Sequence, residues 1–421
     1  MTPRPDGPTG QRFRYVDGLT GVRALAAFWV VAHHLNAIVG PRVLRVPVAG
    51  IEVDITPLLT CGWVGVDIFF VLSGFLLTRQ EWIRLERRGS DAEVRRVGPF
   101  LAFCATFLRK RILRVYPAYY GCLTLLIALA ATHLYLRLPD RLELLLHLGM
   151  IHNAVDAYVS TMNGVFWTLP FEWQFYLFFP LLFILLVRAG PWALAGAGLT
   201  IVFAAKAYVM LTGDGTMHAQ LPIRLDAFVL GMCAGRLAAR TPLSGRAAPL
   251  AFYGGLLVLL CTPLVFFDLP TGNHYYSFKG FVRPLWIASG VTLMLLGMTG
   301  ERHPGVAIFG NRLAVGLGLI SYSIYLFHVP VMEMFILYRT QLGPLASVPF
   351  DLPLVVGGAL PLVLAVSYAS YKLVEQPFQR HRAVRPRRWS GSGGGLLDRI
   401  DPLLVLLAWA MLLMVALEFL R

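Results

Sequence analysis

Arg23 and His34 stand eleven positions apart in the run LTGVRALAAFWVVAHHLNAIV, residues 19–39. At about 100° per residue, eleven steps make three turns plus roughly 20°, so a helix places both side chains on one face, about 16 Å apart along its axis. A guanidinium is a fixed cation with forked donors suited to phosphate or carboxylate. An imidazole can take the proton of a hydroxyl near neutral pH and so turn a poor nucleophile into a good one. The neighbouring His33 points about 80° to the other side of Arg23 and reads as a hydrogen-bonder to an adjacent helix.

Further polar residues interrupt apolar runs downstream. Asp67 sits in GVDIFFVLSGF and reads either as the partner of a buried arginine or as a group at a binding site. Arg109, Lys110, Arg111 and Arg114 crowd LRKRILRVYPAYY, where they either fix topology or clamp phosphates. Glu172 and Tyr176 lie one turn apart in FWTLPFEWQFYLFFP, and Arg224 opens RLDAFVLG. Tyr322, Tyr325 and His328 recur at three-residue steps in SYSIYLFHVP and line one polar stripe. Glu375 in YKLVEQPF is expected to offset local basic charge. A charge inside a span is costly unless it is paired or faces water, so each of these is a candidate for structure or for function.

The elements that position them are membrane helices. The 421 residues are 57% hydrophobic and 14% charged, with mean hydropathy +0.64, a profile of polytopic membrane proteins. The net charge of +14 does not indicate nucleic acid, because the arginines cluster between apolar runs on alternate sides. The five cysteines are scattered, odd in number and without metal spacing, so they read as small apolar residues and no metal site is expected. No cleavable leader is expected, since no small-residue cleavage pattern follows the first apolar run.

Eleven spans are read, at about 19–39, 62–79, 114–134, 166–188, 191–211, 223–240, 248–267, 282–299, 313–338, 352–374 and 400–420. Residues 80–113 read as interfacial pieces and 135–165 as a long loop. Loops after even-numbered spans carry most of the arginines, among them Arg84, Arg87, Arg88, Arg95, Arg96, Arg382, Arg385, Arg387 and Arg388. This puts the N-terminus in the cytoplasm and the C-terminus outside, in a cell (inner or plasma) membrane. The division is a tail at 1–16, a membrane domain at 17–380, a basic cytoplasmic linker at 381–398 and an extra transmembrane helix at 399–421.

Seven segments in order resemble one family. The pair Arg23 and His34, GVDIFFVLSGF, RKRILRVYPAYY, FWTLPFEWQFYLFFP, RLDAFVLG, ISYSIYLFHVP and YKLVEQPF together are similar to acyltransferase family 3, integral membrane proteins that move acyl groups from acyl-CoA to hydroxyls of carbohydrates and other acceptors. The resemblance covers about 17–380 and implies an all-α helix bundle of ten spans, with the eleventh outside that unit. It implies an O-acyltransferase with no bound cofactor and with acyl-CoA, acetyl-CoA by preference, as co-substrate. His34, Arg23 and Glu172 are the implied catalytic set, with His34 as general base. Arg111, Arg114, Asp67, Tyr176, Arg224, Tyr325 and His328 are the implied binding set, Tyr325 and His328 also being candidate donors to an oxyanion. The implied acceptor is a glycan, a lipid-linked sugar or a glycosylated metabolite; membrane lipids are the other partners, and nucleic acid is not one. No soluble domain follows the spans in this reading, so the chain is expected to complete transfer alone or with a separate protein. The competing reading is a transporter or flippase of a glycan or lipid-linked sugar using the same buried charges; the lack of an internal repeat counts against it.

Overall fold

A computed structural model describes residues 8–39, 43, 45–88, 97–132, 137–213, 217, 219–266, 278–299, 303–341, 355–383 and 402–420. Almost all of them are helical. The strands among them are β1 (Arg45–Val48) and β2 (Ile51–Asp54), an antiparallel hairpin turned through Ala49 and Gly50, both at positive φ. The chain divides into two compact units, Met1–Ser90 with Leu181–Tyr322, and Asp91–Pro180 with Ser323–Arg421.

The first unit is built on α1 (Pro8–Val39), the short α2 (Thr56–Thr60) and α3 (Trp63–Arg88). Helix α4 (Val97–Ala131) and the short α5 (Arg141–Leu148) belong to the second unit. The expected spans at 166–188 and 191–211 lie in one long element, α6 (Leu169–Thr212), which is two helices meeting at Gly190, φ 91° and ψ 176°. That conformation is open only to glycine. In the first unit, to which α6 belongs from Leu181 onward, α7 (Leu225–Arg240), α8 (Ala247–Phe266) and α9 (Phe278–Gly297) follow. The pair α3 and α7 packs most extensively. Three glycines permit it: a Cβ at Gly74 would strike the Phe228 carbonyl, one at Gly231 the Val71 carbonyl, and one at Gly235 the Phe75 carbonyl. Small residues at such crossings let backbones touch, and the contact replaces a driving force that lipid does not provide.

Two expectations for the spans change. Residues 97–113 are not separate interfacial pieces; they continue into the next span as the 35-residue α4. From Arg114 to Ala131 the helix rises about 26 Å, close to the hydrocarbon thickness. The expected span at 313–338 is bent by 69° between α11 (Arg312–Leu319), which follows the short α10 (Pro304–Phe309), and the helix beginning at Ser321. The bend lets α11 lie on α1, where a Cβ at Gly318 would strike the Thr20 carbonyl.

In the second unit, α12 (Ser321–Gln341, counted from Ser323 onward) precedes α13 (Leu360–Ser370), which is flanked by π turns at Val355–Ala359 and Tyr371–Glu375. After α14 (Gln376–Ala383), the last helix, α15 (Pro402–Leu420), docks on α4, with Trp409 Nε1 donating to Thr124 Oγ1 at 3.0 Å. Among the described residues five helices are long and apolar enough to cross a membrane, or six with the bent pair counted as one span; Val282–Gly297 and Leu403–Met414 are shorter apolar helices.

Gly231→Ala is expected to lower stability by about 1–3 kcal/mol through overpacking of α3 against α7. Gly196→Ala is the control, because a Cβ there meets nothing within 4 Å. The thermal unfolding midpoint of the purified protein reads both; equal midpoints for the two variants would show that the glycine contact carries no stability.

Candidate active site

The first unit holds Arg23, His34, Asp67 and Arg224. Arg23 and His34 are both on α1, half-buried. The Arg23 guanidinium lies 5.6 Å from the centre of the Phe69 ring, and its Nε donates to Ser321 Oγ at 3.3 Å. The bend before Ser321 therefore brings the start of SYSIYLFHVP to Arg23, 298 positions away in sequence. His34 Nδ1 lies 3.0 Å from the Val30 carbonyl of its own helix. A carbonyl only accepts, so Nδ1 carries the hydrogen and Nε2 keeps the lone pair that a base needs. His33 Nδ1 donates likewise to the Thr60 carbonyl at 2.6 Å, at the end of α2. A Cβ at Gly62 would strike His33 as well, so that ring is wedged between elements.

Asp67 and Arg224 meet in the core of this unit, Oδ1 to Nη1 at 3.0 Å, with side chains 2% and 5% exposed. A second buried pair adjoins them, Lys206 Nζ to Asp226 Oδ2 at 3.3 Å. Arg283, buried with its guanidinium 4.2 Å from the Trp63 ring centre, lies within electrostatic reach of Asp67. Three cations and two carboxylates thus share one buried region. Reasoning from the sequence passed over Lys206 and Arg283. The signal was present for Lys206, a single cation in the apolar run IVFAAKAYVM. Arg283 was masked by its nearness to the end of an apolar run.

The second unit holds Arg111, Arg114, Glu172, Tyr176, Tyr325 and His328. Buried Arg111 lies 5.5 Å from the Phe107 ring centre and 5.8 Å from that of Tyr176. The Tyr176 hydroxyl donates to Glu172 Oε1. These three candidates form one chain from guanidinium to aromatic face to carboxylate. Arg114 pairs with Glu375 at 3.3 Å; Glu375 is fully buried and also accepts from Ser323 and Gln379. Tyr325 donates its hydroxyl proton to the Val165 carbonyl at 2.9 Å and shares a 2.6 Å contact with Thr168 Oγ1. His328 Nδ1 faces the Ile324 and Tyr325 carbonyls at 3.0 and 2.9 Å. Both are buried; the Tyr325 bonds hold α12 to the segment before α6, whereas those of His328 stay within α12.

A histidine pair lies in the expected long loop at 135–165, outside the expected spans. His147 and His152 stack with ring centres 4.1 Å apart, both buried. Burial pushes His152 down to about 4 and His147 well below the usual imidazole range, so both rings are neutral. Tyr119 donates to the His147 carbonyl at 3.0 Å, and His147 Nε2 lies 3.1 Å from Thr161 Oγ1. Among the described residues no three His, Cys, Asp or Glu side chains converge as a metal site requires.

A family model described as an acyltransferase domain matches residues 16–372. The chain is similar to a protein of Staphylococcus aureus strain COL provisionally named an O-acetyltransferase, 23% identical over 416 residues that cover 91% of this chain and 60% of that protein. It is also similar to O-acetyltransferase OatA of Staphylococcus aureus strain NCTC 8325, 24% identical over 408 residues, covering 87% of this chain and 58% of OatA. The chain therefore spans about three fifths of the length of these curated relatives. No solved structure matches it.

Removing one partner of the buried pair leaves the other charge stranded, which costs about 3–5 kcal/mol. Asp67→Leu alone is expected to lower the thermal midpoint sharply, and Asp67→Leu with Arg224→Met is expected to recover much of the loss. A single variant as stable as the native protein would contradict the pairing.

Proposed function

The chain belongs to the acyltransferase-domain family that its sequence matches, and on that premise we propose that it is a membrane-embedded O-acyltransferase. It moves an acyl group, acetyl by preference, from cytoplasmic acyl-CoA to a hydroxyl of a carbohydrate or glycosylated acceptor. The proposed topology is ten spans plus one, N-terminus in the cytoplasm and C-terminus outside, supported by the arginine asymmetry of the loops.

The observation that carries the mechanism is the held tautomer of His34. With Nδ1–H fixed on the Val30 carbonyl, Nε2 can accept the proton of the acceptor hydroxyl. The hydroxyl oxygen then bonds to the thioester carbon, the carbon–sulfur bond breaks, and the proton passes from imidazole to the departing thiolate of CoA. Arg23, aligned with His34 on α1 and held by Ser321, is assigned to the donor's anionic end. Arg111 and Arg114 are assigned to donor phosphates, since guanidinium matches phosphate geometry and the proposed topology starts the span at Arg114, which sets the basic stretch at a membrane surface. Glu172, bonded by Tyr176, is assigned to hold the aromatic face against which Arg111 lies. Asp67 and Arg224 support the site by fixing α3 to α7.

His34→Ala is expected to lower turnover per folded enzyme by roughly 10²–10⁴ while acyl-CoA affinity largely survives. His33→Asn is expected to lower yield or stability rather than turnover, because its bond to Thr60 joins two elements. Turnover and CoA affinity measured side by side decide it. Near-normal turnover in His34→Ala, beside a folded but inactive His33→Asn, would overturn the assignment.

A further inference from the structure

In the second unit the segment between α4 and α6 folds around a cavity of about 310 Å³, lined by Arg137, Glu143, Ser160, Thr161, Asn163 and Glu333, among others. That volume holds roughly ten water-sized groups, comparable with the non-hydrogen atoms of one pyranose ring. Its walls are fixed before any ligand enters. Asp140 caps α5 and exchanges backbone bonds with Glu143. Asn163 spends its amide on the Leu326 carbonyl at 2.9 Å and its oxygen on the Val165 amide at 3.2 Å. Thr161 donates to the Tyr158 carbonyl at 3.1 Å and rests on the His147–His152 stack. Met162 is held at φ 61°, a left-handed conformation that a side chain rarely adopts.

What remains unspent is acceptor capacity. Glu143 is 1% exposed. Its Oε2 takes Arg137 Nη2 at 2.9 Å and the Asp140 amide at 3.2 Å. Among the described residues its Oε1 has no partner, and neither has the Ser160 hydroxyl. A ligand hydroxyl would supply a donor to either oxygen. The formal charge of the lining is one cation, Arg137, against two carboxylates, Glu143 and Glu333. A ligand carboxylate or phosphate would meet net repulsion there, whereas Arg137 and Ser160 can still donate to neutral oxygens.

We infer that this cavity binds one neutral, hydroxyl-rich ring, a sugar residue of the acceptor, and discriminates against anionic sugars. The inference rests on the O-acyltransferase reading for its role and on the cavity alone for its chemistry. Gly164 offers the means to test it: it borders the cavity, its φ is ordinary, and a Cβ there meets nothing within 4 Å. Gly164→Leu therefore fills the space without backbone strain, and Ser160→Leu fills it from a second position.

The experiment uses the full chain in lipid nanodiscs and saturation-transfer NMR with the methyl glycosides of glucose, galactose and N-acetylglucosamine, and with glucuronate as the anionic comparison. At least one neutral glycoside is expected to receive saturation from the native protein and glucuronate none. Both variants are expected to lose the signal, affinity falling by roughly tenfold or more, about 1.4 kcal/mol, with thermal midpoints near the native value. Absence of any neutral glycoside signal, an equal signal from glucuronate, or binding that survives in both folded variants would overturn the inference. CoA release from acetyl-CoA is recorded separately. No acyl transfer beside cavity-dependent glycoside binding would remove the enzymatic reading and leave the cavity's chemistry standing.

Discussion

A charge placed in a membrane span must find its counter-charge within the protein, and the Asp67–Arg224 contact at 3.0 Å answers that demand for the first unit. The contact depends on the approach of α3 to α7, and that approach depends on Gly74, Gly231 and Gly235, where any side chain would strike a carbonyl of the facing helix. Lys206 and Asp226 repeat the arrangement one step further along, and Arg283 joins it from α9. Such pairs are weak sources of net stability, because desolvation offsets much of their attraction. Their effect is to penalise any packing of these helices in which a partner is missing.

Glu375 does the corresponding work in the second unit. Fully buried, it gathers Arg114 from α4, Ser323 from α12 and Gln379 from the following turn. Arg114 lies 261 positions away in sequence. The π turn at Tyr371–Glu375 is where the helix widens to present this carboxylate. Arg111, three residues earlier, lies against Phe107 and Tyr176 instead of a carboxylate. The basic stretch of α4 thus holds one arginine that lends a single nitrogen to an internal carboxylate and one set on aromatic faces.

Much of this was legible in the sequence because charges stand out in apolar runs. Arg23, His34, Asp67, Glu172 and Arg224 could each be named, and helix geometry alone placed Arg23 and His34 on one face. The expectation that Glu375 offsets basic charge meets the Arg114 pair. Partners were harder to read. Nothing in the local pattern says that Arg23 turns to a serine, or that Tyr325 gives its proton to the Val165 carbonyl, since both are long-range contacts set by packing. The bend between Leu319 and Ser321 was missed because apolar composition continues across it, and the continuous α4 because its first half is amphipathic, with arginines that read as breaks. The His147–His152 stack was missed because a histidine five residues from another in a short, punctuated segment has no periodic signal.

The charges held in this way are proposed to serve group transfer rather than passage across the membrane. The most direct measurement uses the purified protein reconstituted in vesicles with acetyl-CoA labelled in the acetyl group and a hydroxyl-bearing glycan. Transfer predicts CoA release matched by label covalently attached to the glycan, with both lost together in His34→Ala. Movement of the unmodified glycan across the bilayer with the thioester intact would contradict it.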